Sequence, residues 1–104
     1  MASIFTKIIN NELPAYRILE DDLTIAILAL DQVSPGHVIV IPKQEVNHWF
    51  EVPKEAFLQV QINSQKIAKA IKIATECERV LTAAIGFEVQ HYHLHLIPAW
   101  SMSD

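Results

Sequence analysis

With 104 residues, 51% of them hydrophobic, the chain has the size for one domain, residues 1–104, around a single core, and domains this small often gain from association. Its net charge of −4, with eight Lys and Arg residues that form no run, offers no long-range attraction to a nucleic acid backbone, so no nucleic acid partner is expected. No stretch approaches the ~20 apolar residues that span a bilayer, and residues 1–7 lack a charged leader before an apolar block, which sets the expectation of a soluble, cytoplasmic protein with no membrane partner. The lone Cys77 cannot form an internal disulfide, and packing is its expected role.

Ser3 is placed to cap a short helix over Ile4–Asn10, with Ile4, Phe5 and Ile8 as its apolar side and Asn10-Asn11 as its stop. Tyr16–Leu19 reads as a strand, Glu20-Asp21-Asp22 as a turn and Leu23–Leu30 as a β-rich apolar run, together an antiparallel hairpin. Val33-Ser34-Pro35-Gly36 makes a second turn. A third strand, His37–Ile41, then sends Val38 and Val40 to one face and His37, Ile39 and Ile41 to the other, and Pro42 ends it. His48 reads as a surface histidine beside the packing aromatics Trp49 and Phe50.

From Pro53 to about Thr75 the period becomes helical. Phe57, Val60, Ser64, Ile67, Ile71 and Ala74 form the face expected to cover the sheet. Leu58, Ile62 and Ile73 form a second apolar stripe on nearly the opposite side, and a helix apolar on two sides needs two things to pack against. Arg79–Ile85 reads as a strand and Gly86 as a turn or bulge. The last strand is His91-Tyr92-His93-Leu94-His95-Leu96-Ile97-Pro98, where alternation puts three of the chain's five histidines on one face and Tyr92, Leu94 and Leu96 on the other. Partnered structural histidines are one reading of this run. Imidazole is costly to bury, however, and three on one face point to chemistry. Strands, a long helix and strands again make an α+β sandwich rather than an alternating parallel fold.

The His-x-His-x-His run followed by apolar residues resembles the signature of the histidine triad (HIT) family of nucleotidyl hydrolases and transferases. Asp31–Lys43 (Asp-Gln-Val-Ser-Pro-Gly-His-Val-Ile-Val-Ile-Pro-Lys) looks like that family's other block, and the likeness covers nearly the whole chain. The resemblance implies a five-stranded antiparallel sheet with a long helix and a short N-terminal helix, and a homodimer joined through the long helix and adjoining strands. The implied substrate is a purine nucleotide or nucleotide conjugate, and no cofactor is implied. Carried over by position, the resemblance makes His93 the nucleophile and His95 the group that hydrogen-bonds the phosphate or bridging oxygen. His91 supports the nucleophile's surroundings, and His37 is a fourth active-site histidine. Asp31 accepts the ribose hydroxyls, although a turn or capping role is the plain reading of such an Asp. Ile27, Leu28 and Leu30 with Phe5 or Ile8 form the base pocket, and the backbone after Gly86, including Val89 and Gln90, approaches the phosphate. Many such proteins carry a zinc site at positions that correspond here to Ser3, Thr6, Glu45 and His91. Only His91 remains as a ligand, so no metal is expected. The segment before and after Gly86, Thr82-Ala83-Ala84-Ile85-Gly86-Phe87-Glu88, also departs from the Asn and Gly-Gln pattern of many purine nucleotide hydrolases.

A neutral imidazole, with an ordinary pKa of about 6.5, has a free lone pair near neutral pH and can attack phosphorus. The leading expectation is therefore cleavage at the α-phosphorus of a nucleotide phosphoester, phosphoramidate or dinucleoside polyphosphate through a nucleotidyl-histidine. Two other readings stand beside it: a nucleotide-binding homodimer with little catalysis, and a zinc hydrolase ligated by the His-x-His pair with His37 or Glu45.

Overall fold

The computed structural model describes residues 2–102. Helix α1 spans Ile4–Ile9, and strands β1 (Arg17–Glu20), β2 (Thr24–Leu28) and β3 (Val38–Pro42) follow it. A short 3-10 turn at Trp49–Glu51 leads into helix α2 (Lys54–Thr75), and β4 (Arg79–Ala83) and β5 (Leu94–Ala99) complete the chain. The strands form one antiparallel sheet in the order β1-β2-β3-β5-β4, the α+β architecture expected from the sequence.

Both faces of the central strands are covered, which is why every residue of β3 is buried. Alternation sorts the side chains into two layers. Ala26, Val38, Val40, Tyr92, Leu94 and Leu96 meet Val60, Ile67 and Ile71 of α2. Ile25, Ile27, Ile39 and Ile41 face the other way and meet Phe5 and Ile8 of α1. Ser3 caps α1 by accepting the Thr6 N–H at 3.1 Å, which satisfies one of the free donors at the helix start. Because α1 is only six residues long, it covers part of its face of the sheet and leaves the remainder open beside the histidines.

The β2–β3 loop is held from two sides. Ser34 Oγ donates to the Pro98 carbonyl of β5 at 2.7 Å, and His37 N–H donates to Ser34 O at 3.1 Å. Gly36 sits between them at φ +96°, and a Cβ there would stand 3.0 Å from Thr75 Cγ2 at the end of α2, so both conformation and space call for glycine.

Several boundaries differ from the sequence reading. The last strand begins at Leu94 rather than His91, because its partners run out. Val40 pairs with Leu94, and β4 ends at Ala83 opposite His95. His91-Tyr92-His93 lie outside the ladder, with a bend at His91 and Tyr92 N–H donating to Val46 O at 2.7 Å, yet Tyr92 packs with Leu94 and Leu96 while His91 and His93 meet Phe5, so the alternation of faces survives. His37 likewise lies one residue ahead of β3.

Helix α2 presents Ala56, Val60, Asn63, Ser64, Ile67 and Ile71 to the sheet, while Ala74, expected on that face, is exposed and Phe57 is half-buried. Asn63 explains part of the rotation. Its Nδ2 donates to Asp21 Oδ2 at 2.7 Å and to Thr24 Oγ1 at 2.8 Å, pinning the helix to the β1–β2 turn. The second stripe, Leu58, Ile62 and Ile73, is 48%, 47% and 81% exposed in the single chain. Among the described residues no helix is long and apolar enough to cross a membrane.

Candidate active site

Four histidines converge where the ends of β3 and β5 meet the uncovered part of the sheet. His37, His91 and His93 are buried and His95 is half-buried. The rings of His93 and His95 meet edge to face with centroids 4.8 Å apart, and His37 lies 5.1 Å from His95. Phe5 of α1 sets its ring against His93 at 4.8 Å and His91 at 5.8 Å.

The hydrogen-bond partners decide which nitrogen of each ring carries its proton. A carbonyl can only accept. His93 Nδ1 therefore donates to the His91 carbonyl at 2.7 Å, which leaves the lone pair on Nε2. By the same reasoning His91 Nε2 donates to the Pro42 carbonyl at 2.9 Å, and its Nδ1 accepts from Ser3 Oγ at 2.7 Å. At the other end, the Val33 N–H donates to His37 Nδ1 at 3.1 Å, so His37 carries its proton on Nε2 and donates to His95 Nδ1 at 2.9 Å. His95 must then carry its proton on Nε2. One neighbour offers a free lone pair and the other offers an N–H.

Burial holds all four imidazoles neutral by pushing their pKa values below the ordinary 6.5. For His37 burial is the cause, and for His93 burial outweighs the pull of the His91 carbonyl. For His91 burial outweighs the Pro42 carbonyl and the Glu45 charge. His95 is brought down furthest, to about 4, by burial and then by the neighbouring His93 and His37.

A cleft of about 450 Å³ opens over this cluster, within the range of small-molecule sites. Of the residues picked from sequence, Phe5, Leu30, Asp31, His37, Gly86, Val89, His93 and His95 line it. His91 is fully buried beneath, acting on His93 through its backbone. Ile27, expected in the base pocket, belongs to the sealed core beneath α1 with no exposed surface, and Ile8 is buried with it. Leu28 faces the α2 layer. The apolar wall is supplied instead by Ile4, Ala29, Val33, Ile39 and Ile97, with Ile85 and Phe87 from the loop around Gly86. Gln90 points elsewhere, into an adjoining cleft of about 330 Å³ that also reaches His93. Sequence reasoning missed Ile85 and Phe87, although two large apolar residues flanking a glycine outside any strand were a usable signal. Trp49 and Phe50, read as packing aromatics, are 57% and 68% exposed.

The four positions that correspond to a family zinc site do come together, but as a hydrogen-bonded cluster. Ser3 N–H and Thr6 Oγ1 both donate to Glu45 Oε1 at 2.7 Å, while Ser3 Oγ serves His91. The Ser3 N–H, followed by the Thr6 hydroxyl, holds the Glu45 carboxyl below its usual range. Two hydroxyls are poor zinc donors, and the one imidazole has both nitrogens engaged, so this donor set does not fit the metal. No group of three or more His, Cys, Asp or Glu side chains suited to a metal ion occurs among the described residues.

Residues 10–102 match the family model described as HIT domain. The chain is 35% identical over 106 residues to Protein hit of Bacillus subtilis (strain 168), covering 97% of this chain and 73% of that one. It is 33% identical over 98 residues to adenosine 5'-monophosphoramidase HNT1 of Saccharomyces cerevisiae, covering 93% of this chain and 62% of the yeast protein. A crystal structure of a HIT family member from Bacillus subtilis superposes with a TM-score of 0.91 at 34% identity, over 100% of this chain and 77% of that one.

The depressed imidazole pKa values have a consequence for stability. Between 6.5 and about 4 the unfolded chain binds protons that these rings in the folded protein resist, so stability falls as pH falls through that window. Melting temperature should decline steadily from pH 7 to pH 4.5, and His95→Gln should shallow that slope. A melting temperature that rises on acidification to pH 5 contradicts the neutral cluster.

Proposed function

This chain belongs to the HIT domain family, the histidine triad proteins, and from that premise we propose that it is a nucleotide hydrolase or transferase acting at the α-phosphorus through a covalent nucleotidyl-His93. The observation that carries the reading is the pairing of the His93 Nε2 lone pair with the His95 Nε2–H on adjacent rings at the floor of one cleft. The name of the yeast relative, an adenosine monophosphoramidase, supports the substrate class.

In the first half-reaction the His93 Nε2 lone pair forms a bond to phosphorus. The bond to the leaving nitrogen or oxygen breaks with its electron pair, and the leaving atom takes a proton from water. His95 Nε2–H donates to the phosphoryl oxygen or leaving atom as charge develops there, and the donor is already oriented by His37. The His93 Nδ1–H to the His91 carbonyl stabilises the positive charge the ring acquires. In the second half, water attacks phosphorus, releases its proton to solvent, and the electron pair of the N–P bond returns to His93. Hydrolysis thus closes with atoms and protons balanced, and an acceptor alcohol or amine in place of water makes the same site a transferase.

Asp31 on the cleft rim is the proposed ribose acceptor, since a carboxylate can take both hydroxyl protons of one sugar. Phe5, Ile4, Leu30 and Ile39 offer the apolar wall for a purine. The exposed stripe Leu58, Ile62 and Ile73 on α2 supports a homodimer, because a monomer would leave that apolar surface in water.

Two measurements test the reading. Intact mass after brief mixing with adenosine 5'-phosphoramidate should show an adenylyl adduct on wild-type protein and none on His93→Ala, with turnover lost by several orders of magnitude in that variant. Near-normal turnover in folded His93→Ala would sink the covalent route. Sedimentation at micromolar concentration should give a dimer that Ile62→Glu with Ile73→Glu dissociates; a monomeric wild type removes the homodimer.

A further inference from the structure

Two clefts, not one, reach His93. The larger also holds Asp31, His37 and His95, while the second, of about 330 Å³, includes none of these and is instead formed by His48, Trp49, Phe87, Gln90 and Tyr92. The clefts share Ile85, Gly86, Phe87 and His93. With the nucleoside in the first, the group attached across phosphorus has the second to enter.

Its walls state what that group is. The second cleft contains rings, amides and imidazoles but no Lys, Arg, Asp or Glu. The His48 ring lies flat on Phe50, with centroids 5.1 Å apart and planes 11° apart, and a run of rings from Trp49 through Phe57 to Tyr92 backs the wall. Trp49 and Phe87 are 57% and 89% exposed, so a flat apolar group inserted between them would remove ring surface from water. Neither cleft contains a Lys or Arg, which leaves a polyphosphate bridge without a cationic side chain to offset its charge.

We propose that the second cleft is a leaving-group subsite for a neutral aromatic group, so that this chain acts best on a nucleoside monophosphate joined to an arylalkylamine. The inference rests on the hydrolase reading above. The step it adds is cleavage of the P–N bond, with the electron pair staying on nitrogen and a proton taken from water, so that a free arylalkylamine departs through the aromatic cleft while the nucleotidyl group stays on His93.

The probes are the methylamide and the benzylamide of adenosine 5'-monophosphate, with diadenosine triphosphate as the polyphosphate arm. Wild-type kcat/KM should favour the benzylamide over the methylamide by roughly tenfold or more, the scale of one good aromatic stack, and diadenosine triphosphate should be the poorest of the three. Trp49→Ala should bring the benzyl-to-methyl ratio close to one. Equal values for the two amides, a preference for the triphosphate, or a ratio unmoved by Trp49→Ala overturns the subsite. The dissociation constants of the two amides on His93→Ala protein give a reading that needs no turnover. A benzyl preference there with no turnover in wild type retains the subsite and removes the hydrolase reading, whereas turnover without any benzyl preference does the reverse. If Trp49→Ala alters only the sedimentation coefficient, the cleft is a contact between protein chains and the proposal fails.

Discussion

Each imidazole of the cluster is tied, directly or through one neighbour, to a polypeptide group that cannot change its role. The carbonyls of His91 and Pro42 can only accept, and the N–H of Val33 can only donate. From these three anchors the tautomers of His93, His91, His37 and His95 follow in sequence, and with them the division of labour between lone pair and donor. Buried ring nitrogens without partners would cost several times what a satisfied one does, so the network also makes it possible to keep four histidines in one place. Burial supplies the rest by keeping the rings uncharged. A protonated His93 would have no lone pair to offer.

The backbone can serve as anchor because the fold brings distant segments to the same edge. Pro42 ends β3 beside His91, in the segment that leads into β5, and Val33 stands in a loop that Ser34 holds against Pro98. Helix α1 closes the arrangement from the opposite end of the chain. Its cap residue Ser3 serves two partners at once, accepting from Thr6 and donating to His91, and Glu45 draws both Ser3 and Thr6 toward the sheet. A cluster of hydroxyls and one carboxylate thereby does by hydrogen bonding the holding task that a metal could perform at these positions.

Much of this was legible because alternation in a strand is a strong signal. The run from His91 to Pro98 announces which side chains share a face, and the two-sided burial of Val38 to Ile41 follows from the same rule. The limits of the ladder were not legible, since they depend on where β4 and β3 stop, a matter of tertiary pairing. The apolar wall of the cleft was misjudged for a related reason. Ile27 and Ala29 have the same parity on the strand, but only a short α1 decides that the first is sealed and the second lines the cleft. The rotation of α2 hung on Asn63, a polar residue in an apolar stripe that periodicity counts as a mismatch and the structure uses as a pin. The second cleft could not be foreseen at all, because it joins Trp49 of the 3-10 turn to Phe87 and Gln90 of the β4–β5 connection, an approach no local pattern encodes.

Partner geometry fixes the protonation pattern of the cluster before any substrate arrives. Long-range nitrogen–proton correlation spectra of protein labelled with ¹⁵N at its histidines read that pattern directly. At pH 7 they should show His93 as the Nδ1–H tautomer, His37, His91 and His95 as Nε2–H tautomers, and all four neutral. A His93 ring that is protonated at Nε2, or a His95 ring that carries its proton at Nδ1, would contradict the account.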